Sequence, residues 1–399
     1  GDEQGRADGQ VQGYNLRLIM TYVEENRREV KPPEGYRRED FVGALQHFRS
    51  GAITKVFAPD RSGIYRAHEP HLPNGKTDVN DTPHALIRLS MPDINDAYPD
   101  GNWATRQDII GQHYYYNVGL LYFLQNDPEV PETIQKDARK WALCQDEFIE
   151  SGGLPPQLYI REARRMVGQH VFTGNDTQPV VGDARGRLHT DSIAIGDYAH
   201  NCHGTGRVGT RFDGKHMGEF YQNVPPYQIP YGVIVPQKTE NLLVPVACSA
   251  SHFGFGALRL EPIWTSLGQA AGWAAHLALE RNVAVQAVPV QPLQTLLHRD
   301  KSATIYISDI LPDSPEFSAV QWFGTYGGLH GLAPDEQPPP DRIAGQYTQA
   351  HPGHSVDWDK PLDPGLRERW QKWVPLAEPD TPKSRGEWIL EAFESQELN

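Results

Sequence analysis

Residues 249–268 hold the densest set of groups in the chain that could do chemistry. A strand-like run leads into a turn rich in Ser and Gly, and His252, Arg259 and Glu261 follow just before a helix pattern of small residues. A turn that exposes backbone N–H groups, beside the positive end of a helix, suits an electron-rich ring or an oxyanion. Packing of the helix on a sheet, with Arg259 and Glu261 as a structural ion pair, explains the same residues equally well. The residue types alone leave both interpretations open.

A second set of candidate groups is the run of His200, Cys202 and His203. Two imidazoles and a thiol could ligate zinc or copper. No second pair of ligands follows at a familiar spacing, and the run is typical of the end of a strand. We therefore predict polar groups that line a cleft here, and no metal site.

The basic run after Tyr159 is the third candidate. If it forms a strand, Arg161 and Ala163 share one face, whereas Glu162 and Arg164 share the other. A buried Arg on a strand needs a carboxylate partner, either within the protein or on a substrate. The internal partner is the safer prediction.

Other catalytic signatures are weak. Residues 204–209 fit the GxGxxG pattern, but the residues that follow cannot open the packed helix that a nucleotide loop requires. No GxSxG nucleophile elbow is present, and Ser251 beside His252 is only an adjacent pair. A pair of carboxylates for glycoside chemistry stays open, because 51 acidic residues always offer pairs.

Composition narrows the possible classes of protein. The chain has 399 residues and a formal net charge of −14, so nucleic acid is an unlikely partner outside the small basic cluster at 161–165. An apolar fraction of 38% argues against disorder. No run approaches the roughly 18 apolar residues of a membrane span. The three cysteines form neither a disulfide framework nor a CxxC pair, so they leave the compartment open.

Both helices and strands are predicted around these groups. Apolar spacing and flanking Pro, Gly and Asn residues mark the boundaries. The predicted helices cover residues 38–49, 104–125, 131–150, 262–281, 289–298, 314–323, 366–373 and 384–394. The predicted strands cover residues 158–172, 192–199, 228–235 and 242–247. The fold class is therefore mixed α/β (α+β), with a Pro-rich stretch at 333–361.

Four ordered blocks of this sequence resemble the FAD-dependent oxidoreductase family, whose members are often labelled xanthan-lyase-like. The resemblance spans roughly residues 8–330 and rests most on LYIREARRMVG and on SASHFGFGALRLEP followed by LGQAAG. The four blocks lie at residues 11–18, 26–36, 145–173 and 225–279. The resemblance implies FAD as cofactor and a flavin domain of the glutathione-reductase type with an inserted substrate domain.

The resemblance also implies roles for individual residues. It places the flavin ring against the start of the 262–281 helix, where the helix dipole stabilises the reduced ring. The implied cofactor-binding residues are Asn241, Ser251, Gly256, Ala257, Leu258, Arg259 and Pro262. The implied catalytic residues are His252, Arg259, Glu261 and His203, with His252 as the group that handles a proton. The implied substrate-binding residues are Arg161, Arg164 and His200.

One feature of the family is missing from these residues. Family members open with a strand, a glycine-rich turn and a helix that bind the ADP half of FAD, and no such segment occurs here. We therefore expect an incomplete flavin domain, with a separate N-terminal segment that binds FAD or a remnant that no longer does. The expected division is a substrate region at 1–225, with part of the flavin domain at 155–173, then flavin domain at 226–287 and a small helical appendage at 288–399.

Three functions remain open on this evidence. The first is FAD-dependent oxidation of a small-molecule or glycan substrate, sugar-like because the expected cleft mixes His, Arg, Asn and aromatic residues. The second is a non-catalytic, carbohydrate-associated binding or scaffold protein that stacks sugars on exposed Trp322, Trp358 and Trp370. The third, polysaccharide lyase or hydrolase chemistry, rests mainly on the family label.

Overall fold

A computed structural model describes residues 8–69, 71–332, 351–376 and 383–397. They form two compact units: one runs up to Ala163 and includes Asn201–Phe220, and the other comprises Arg164–His200 and the chain from Tyr221 onward. The strands are β1 (Leu18–Thr21), β2 (Arg27–Arg28), β3 (Phe57–Ala58), β4 (Tyr65–Ala67), β5 (Lys76–Asn80), β6 (Ala142–Cys144), β7 (Ser192–Gly196), β8 (His200–Val208), β9 (Lys215–Gln222) and β10 (Tyr227–Pro230). The α-helices are α1 (Leu45–Arg49), α2 (Trp103–Asn126), α3 (Glu132–Ala138), α4 (His252–Leu258), α5 (Glu261–Arg281), α6 (Val290–Arg299), α7 (Phe317–Thr325), α8 (Pro364–Trp373) and α9 (Arg385–Glu397).

The first unit is built on a six-stranded sheet in the order β2-β6-β1-β5-β4-β3. Its pairings are antiparallel except for β3 with β4. Leu18 lies opposite Val79, and both side chains are buried. Strands β8 and β9 form a separate two-stranded pair.

Helix α2 confirms the helix predicted at 104–125. The Asn102 side chain caps it by accepting a hydrogen bond from the Thr105 N–H, 2.9 Å away. The apolar residues that predicted it, including Ile109, Leu121 and Phe123, are buried in the core of the first unit. The helix predicted at 131–150 is wrong beyond Ala138, because the chain turns into β6 and pairs with β1.

The second unit packs α5 and α6 against the antiparallel pair of β7 and β10. Helix α5 confirms the prediction for 262–281, with Pro262 in its first turn and Asn282 ending it at a φ of 51°. Leu267, Ala270 and Ala274 bury one face of α5. The alanines on that face, Ala270, Ala274 and Ala278, are small and allow a close approach of helix and sheet.

Three of the strand predictions fail wholly or in part. Residues 158–172 and 242–247 have no regular strand, and their backbone makes isolated pairings such as Gly168 with Pro236. The third strand ends at Pro230, where a 3-10 turn begins. Asn241, at a φ of 54°, turns the chain at the start of the expected 242–247 strand.

The run at His200 also differs from its prediction. It begins β8 rather than ending a strand. The GxGxxG residues lie on β8 and in the turn after it, and no helix follows them before β9. Rejection of a nucleotide loop there is confirmed.

The chain after residue 300 has a hydrophobic cluster of its own. Phe323, Trp370 and Trp388 pack together in it, and the helices predicted at 366–373 and 384–394 are present as α8 and α9. Of the predicted Pro-rich stretch, residues 333–350 lie outside the described residues. Among the helices that the structure describes, none combines the length and apolar character that crossing a bilayer requires.

Candidate functional site

The segment from Ser251 to Pro262 forms two consecutive helices, α4 and α5. Ser251 caps α4, since its Oγ accepts a hydrogen bond from the Gly254 N–H, 3.0 Å away. A Cβ at Gly254 would lie 2.3 Å from the carbonyl oxygen of Phe172, so only glycine fits there. His252, the first residue of α4, is half-buried. The cap and the close backbone contact fix where α4 begins and therefore where His252 sits.

Substitution of Ser251 tests that cap. We expect Ser251→Ala to lower the free energy of unfolding by about 1 kcal/mol, because the Gly254 N–H loses its acceptor. Ser251→Thr keeps an oxygen at the same position and should retain most of the stability. Urea denaturation of both variants measures the difference, and equal stability of Ser251→Ala and the wild type would contradict the capping role.

The last three residues of α4, Gly256, Ala257 and Leu258, are all buried. The carbonyl oxygen of Ala257 accepts a hydrogen bond from the Tyr227 hydroxyl at 2.9 Å. These three predicted cofactor-binding residues therefore pack inside the second unit.

Arg259 brings a buried positive charge to the junction of α4 and α5. Its side chain is only 2% exposed, and its guanidinium lies 5.5 Å from the centre of the Tyr198 ring. Leu260 precedes α5 and offers no side-chain cap, while Glu261 and Pro262 are exposed in the first turn. A cation next to the positive end of a helix dipole creates a region that attracts negative charge.

Two buried polar atoms between residues 249 and 264 lack hydrogen-bond partners among the described residues. One is the Ser249 hydroxyl oxygen, and the other is the indole Nε1 of Trp264 in the first turn of α5. A buried polar atom without a partner costs free energy, so such atoms mark places where a bound polar group would be stabilising.

His200, predicted to bind substrate, contacts α4 in the structure. It is fully buried and stacks on Phe253 with ring centres 4.1 Å apart. Its Nδ1 lies 2.8 Å from the Phe253 carbonyl oxygen and its Nε2 lies 2.7 Å from Thr177 Oγ1. Burial lowers the pKa of His200, so the ring is neutral and donates through Nδ1. Both ring nitrogens thus have protein partners, and a contact of His200 with substrate stays a prediction.

Two further predicted residues of the second unit lie at its surface. Asn241 and Arg164 are exposed, Asn241 in the left-handed turn noted above. The structure gives Asn241 no place in a strand that approaches a cofactor.

His203 and Arg161 belong to the first unit and help to form its buried polar core. His203 Nδ1 donates to Asp81 Oδ2 at 2.8 Å, and Asp81 also accepts hydrogen bonds from Arg88. Arg161 donates to the Gly13 carbonyl oxygen at 2.6 Å. Both residues have protein partners there, and the carboxylate partner expected for Arg161 stays a prediction.

A cleft in the first unit was not anticipated from the sequence. Its volume is about 620 Å³. Polar and aromatic side chains line it, among them Asp40, Asp108, Gln112, Tyr115 and Arg211. The residues come from α2, from the 3-10 turns before α1 and from the turn after β8, and no local pattern in the sequence joins them.

Comparison with known proteins gives one family match. A model of the family described as FAD dependent oxidoreductase matches residues 3–297, which is well over half of the chain. No curated protein and no solved structure shows significant similarity.

Proposed function

The chain belongs to the FAD-dependent oxidoreductase family, and on that premise we propose that its α4–α5 segment faces the isoalloxazine ring of FAD. FAD is the cofactor that the family implies, and when bound it accepts two electrons from a substrate. The observation that carries the proposal is the junction of α4 and α5, where buried Arg259 adjoins an uncapped helix start.

The residues at this junction suit the ring end of FAD. Reduction places negative charge on the ring, and the positive helix end together with Arg259 would stabilise that charge. The Trp264 indole N–H, in the first turn of α5, is a buried polar group that a polar ring edge could satisfy. Pro262 and Glu261 would border the ring at the exposed first turn of α5.

We assign no described residue to the adenosine half of FAD. The only parallel pairing between regular strands in the described ranges is β3 with β4, and no glycine-rich turn and helix accompany it. Our proposal therefore assigns only the ring end of FAD to the described residues.

His252 is the group that we propose handles the substrate proton. It is half-buried at the start of α4, and the Ser251 cap and the Gly254 contact hold it there. An imidazole takes up and releases protons near neutral pH, which suits a base that removes a proton from a hydroxyl as electrons leave the substrate. Arg259 would keep an anionic ring in place during that step.

We propose a small hydroxyl-bearing, sugar-like molecule as the substrate. Support comes from the mixture of His, Arg and aromatic groups around α4, including the Tyr198 ring beside Arg259. The experiment is anaerobic mixing of the FAD-loaded chain with a panel of sugars and polyols, with loss of the oxidised flavin absorbance as the signal.

The proton-handling role gives a specific expectation for that experiment. We expect His252→Ala to slow flavin reduction by about 100-fold or more, the range typical of a lost general base. His276→Ala, an exposed histidine on α5, should leave the rate unchanged. Equal rates for His252→Ala and the wild type would remove His252 from the mechanism.

The second candidate function is glycan binding without catalysis. The cleft of the first unit favours it, since carboxylate, amide and tyrosine groups there suit sugar hydroxyls and ring faces. The tryptophans first considered for this role do not support it: Trp370 is 1% exposed, and Trp322 and Trp358 are partly buried against the same cluster. Binding on a glycan array in the absence of FAD, lost in Gln112→Ala, would favour this alternative.

A further inference from the structure

Three side chains of the second unit converge on one point that the proposed flavin chemistry does not use. They are His170, Asp176 and His189, whose ligand atoms all lie within 4.8 Å of one another. His170 Nε2 is 3.0 Å and His189 Nε2 is 3.1 Å from Asp176 Oδ1. Across the described ranges, no other group of three His, Cys, Asp or Glu side chains is gathered this closely for a metal ion.

The carboxylate of this cluster is held in a fixed orientation. Asp176 lies in the 3-10 turn Gly174–Thr177, and its Oδ2 accepts hydrogen bonds from the Thr173 N–H at 2.7 Å and the Thr173 hydroxyl at 3.0 Å. That arrangement leaves Oδ1 directed at the two imidazoles. Ligands of metal ions are commonly oriented by such outer hydrogen bonds.

His189 supplies an independent observation. It is 8% exposed, and its backbone N–H donates to the Gln228 side chain at 3.0 Å. Its Nε2 lies 3.1 Å from Asp176 Oδ1, and no other described residue gives this buried nitrogen a partner. A buried ring nitrogen whose described contact is the carboxylate of the cluster itself is placed to bind an ion together with that carboxylate.

We propose that His170, Asp176 and His189 bind a divalent transition-metal ion. Two imidazole nitrogens and one carboxylate oxygen form a donor set that suits zinc or ferrous iron, whereas magnesium and calcium prefer oxygen ligands alone. The two nitrogen–oxygen separations of 3.0 and 3.1 Å are close to those between neighbouring ligands of one ion with metal–ligand bonds of about 2.0–2.2 Å. Three protein ligands leave at least one coordination position for water or another small ligand.

The residues around the cluster indicate how an ion could reach it and what its binding would change. The His170 side chain is 31% exposed, which gives an ion a path from solvent. Residue Thr177, next to Asp176, contacts His200, and His200 contacts the Phe253 carbonyl oxygen. A bound ion would therefore stiffen the turn that supports the start of α4.

The experiment uses the full chain without added histidines, freed of metal by chelation. Zn²⁺ is titrated against a competing chelating dye, and Co²⁺ is added in parallel because its visible absorption reports nitrogen and oxygen ligation. We expect one Zn²⁺ per chain, and a loss of affinity of at least about tenfold in His170→Ala, since even outer-shell changes cost 10–100-fold. His170 is half-buried, so this variant should fold, and circular dichroism checks that it does.

His276→Ala serves as the matched control, because this exposed histidine on α5 lies outside the cluster. The control should keep full affinity. The inference is overturned if the wild type takes up no stoichiometric metal, or if His170→Ala and His276→Ala bind as the wild type does. Neither outcome depends on whether the chain binds FAD.

Discussion

Asp81→Asn is expected to lower the free energy of unfolding by about 3 kcal/mol. Asp81 is fully buried and accepts hydrogen bonds from Arg88, from the Ser90 hydroxyl and from His203. Breaking a buried ion pair by removing one partner costs about 3–5 kcal/mol, because the remaining charge stays buried. We expect the lower end of that range, since Glu219 remains paired with Arg88. Urea denaturation at neutral pH measures the change.

The same network gives a pH dependence with a defined sign. Burial alone would raise the pKa of Asp81, but the Arg88 guanidinium and the His203 imidazole outweigh it and hold that pKa well below its usual value. A lowered pKa contributes stability that is complete above about pH 4 and is lost as the pH falls toward the folded-state pKa. The difference between the wild type and Asp81→Asn should therefore shrink below about pH 4.

A matched control for the network is Asp108→Asn. Asp108 is an exposed residue of α2, and its replacement should change stability by no more than about 0.5 kcal/mol. Similar stabilities of Asp81→Asn and Asp108→Asn at neutral pH would show that the buried network contributes little.

Arg259→Gln is expected to weaken FAD binding by about 10–100-fold. Hydrogen bonds and close contacts to a charged group contribute about 1.5–3 kcal/mol, and each 1.4 kcal/mol corresponds to a factor of ten. Gln keeps much of the length of the side chain but removes the buried charge beside the start of α5. Titration of flavin fluorescence with the full chain measures the affinity.

Arg281→Gln is the control for this substitution. Arg281 is exposed in the last turn of the same helix, so its loss should leave FAD affinity unchanged. A thermal melt of Arg259→Gln separates lost binding from lost folding. If both variants fold and bind FAD equally well, the positive charge at the junction has no part in holding the ring.

Secondary structure is predicted best for elements whose own residues show a periodic apolar pattern. Helices α2 and α5 have apolar residues at helical spacing and clear boundary residues, so their extents follow closely from the pattern. The failed strands at 158–172 and 242–247 also contain apolar and β-branched residues, but their backbone hydrogen bonds go to isolated partners. Such pairings depend on segments that are distant in the sequence, so they produce no periodic pattern of apolar residues.

The same distinction holds for the candidate site. Groups that are contiguous in sequence could be predicted, whereas groups that folding brings together from distant positions could not. Residues of the α4–α5 junction are contiguous in sequence, so they could be identified together as a possible ring contact. The network of His203 and Asp81 joins residues 122 positions apart, and the cluster of His170, Asp176 and His189 is spread over two loops. Neither arrangement has a local motif, so neither can be predicted from the sequence.

Hydrogen–deuterium exchange of the full chain with and without FAD tests the central claim most directly. If the α4–α5 junction faces the flavin ring, saturating FAD should slow exchange in peptides that cover residues 249–263. Peptides of the C-terminal cluster around Trp370 and Trp388 should be unaffected. Binding of FAD with protection confined to other segments, and none at 249–263, would contradict the account.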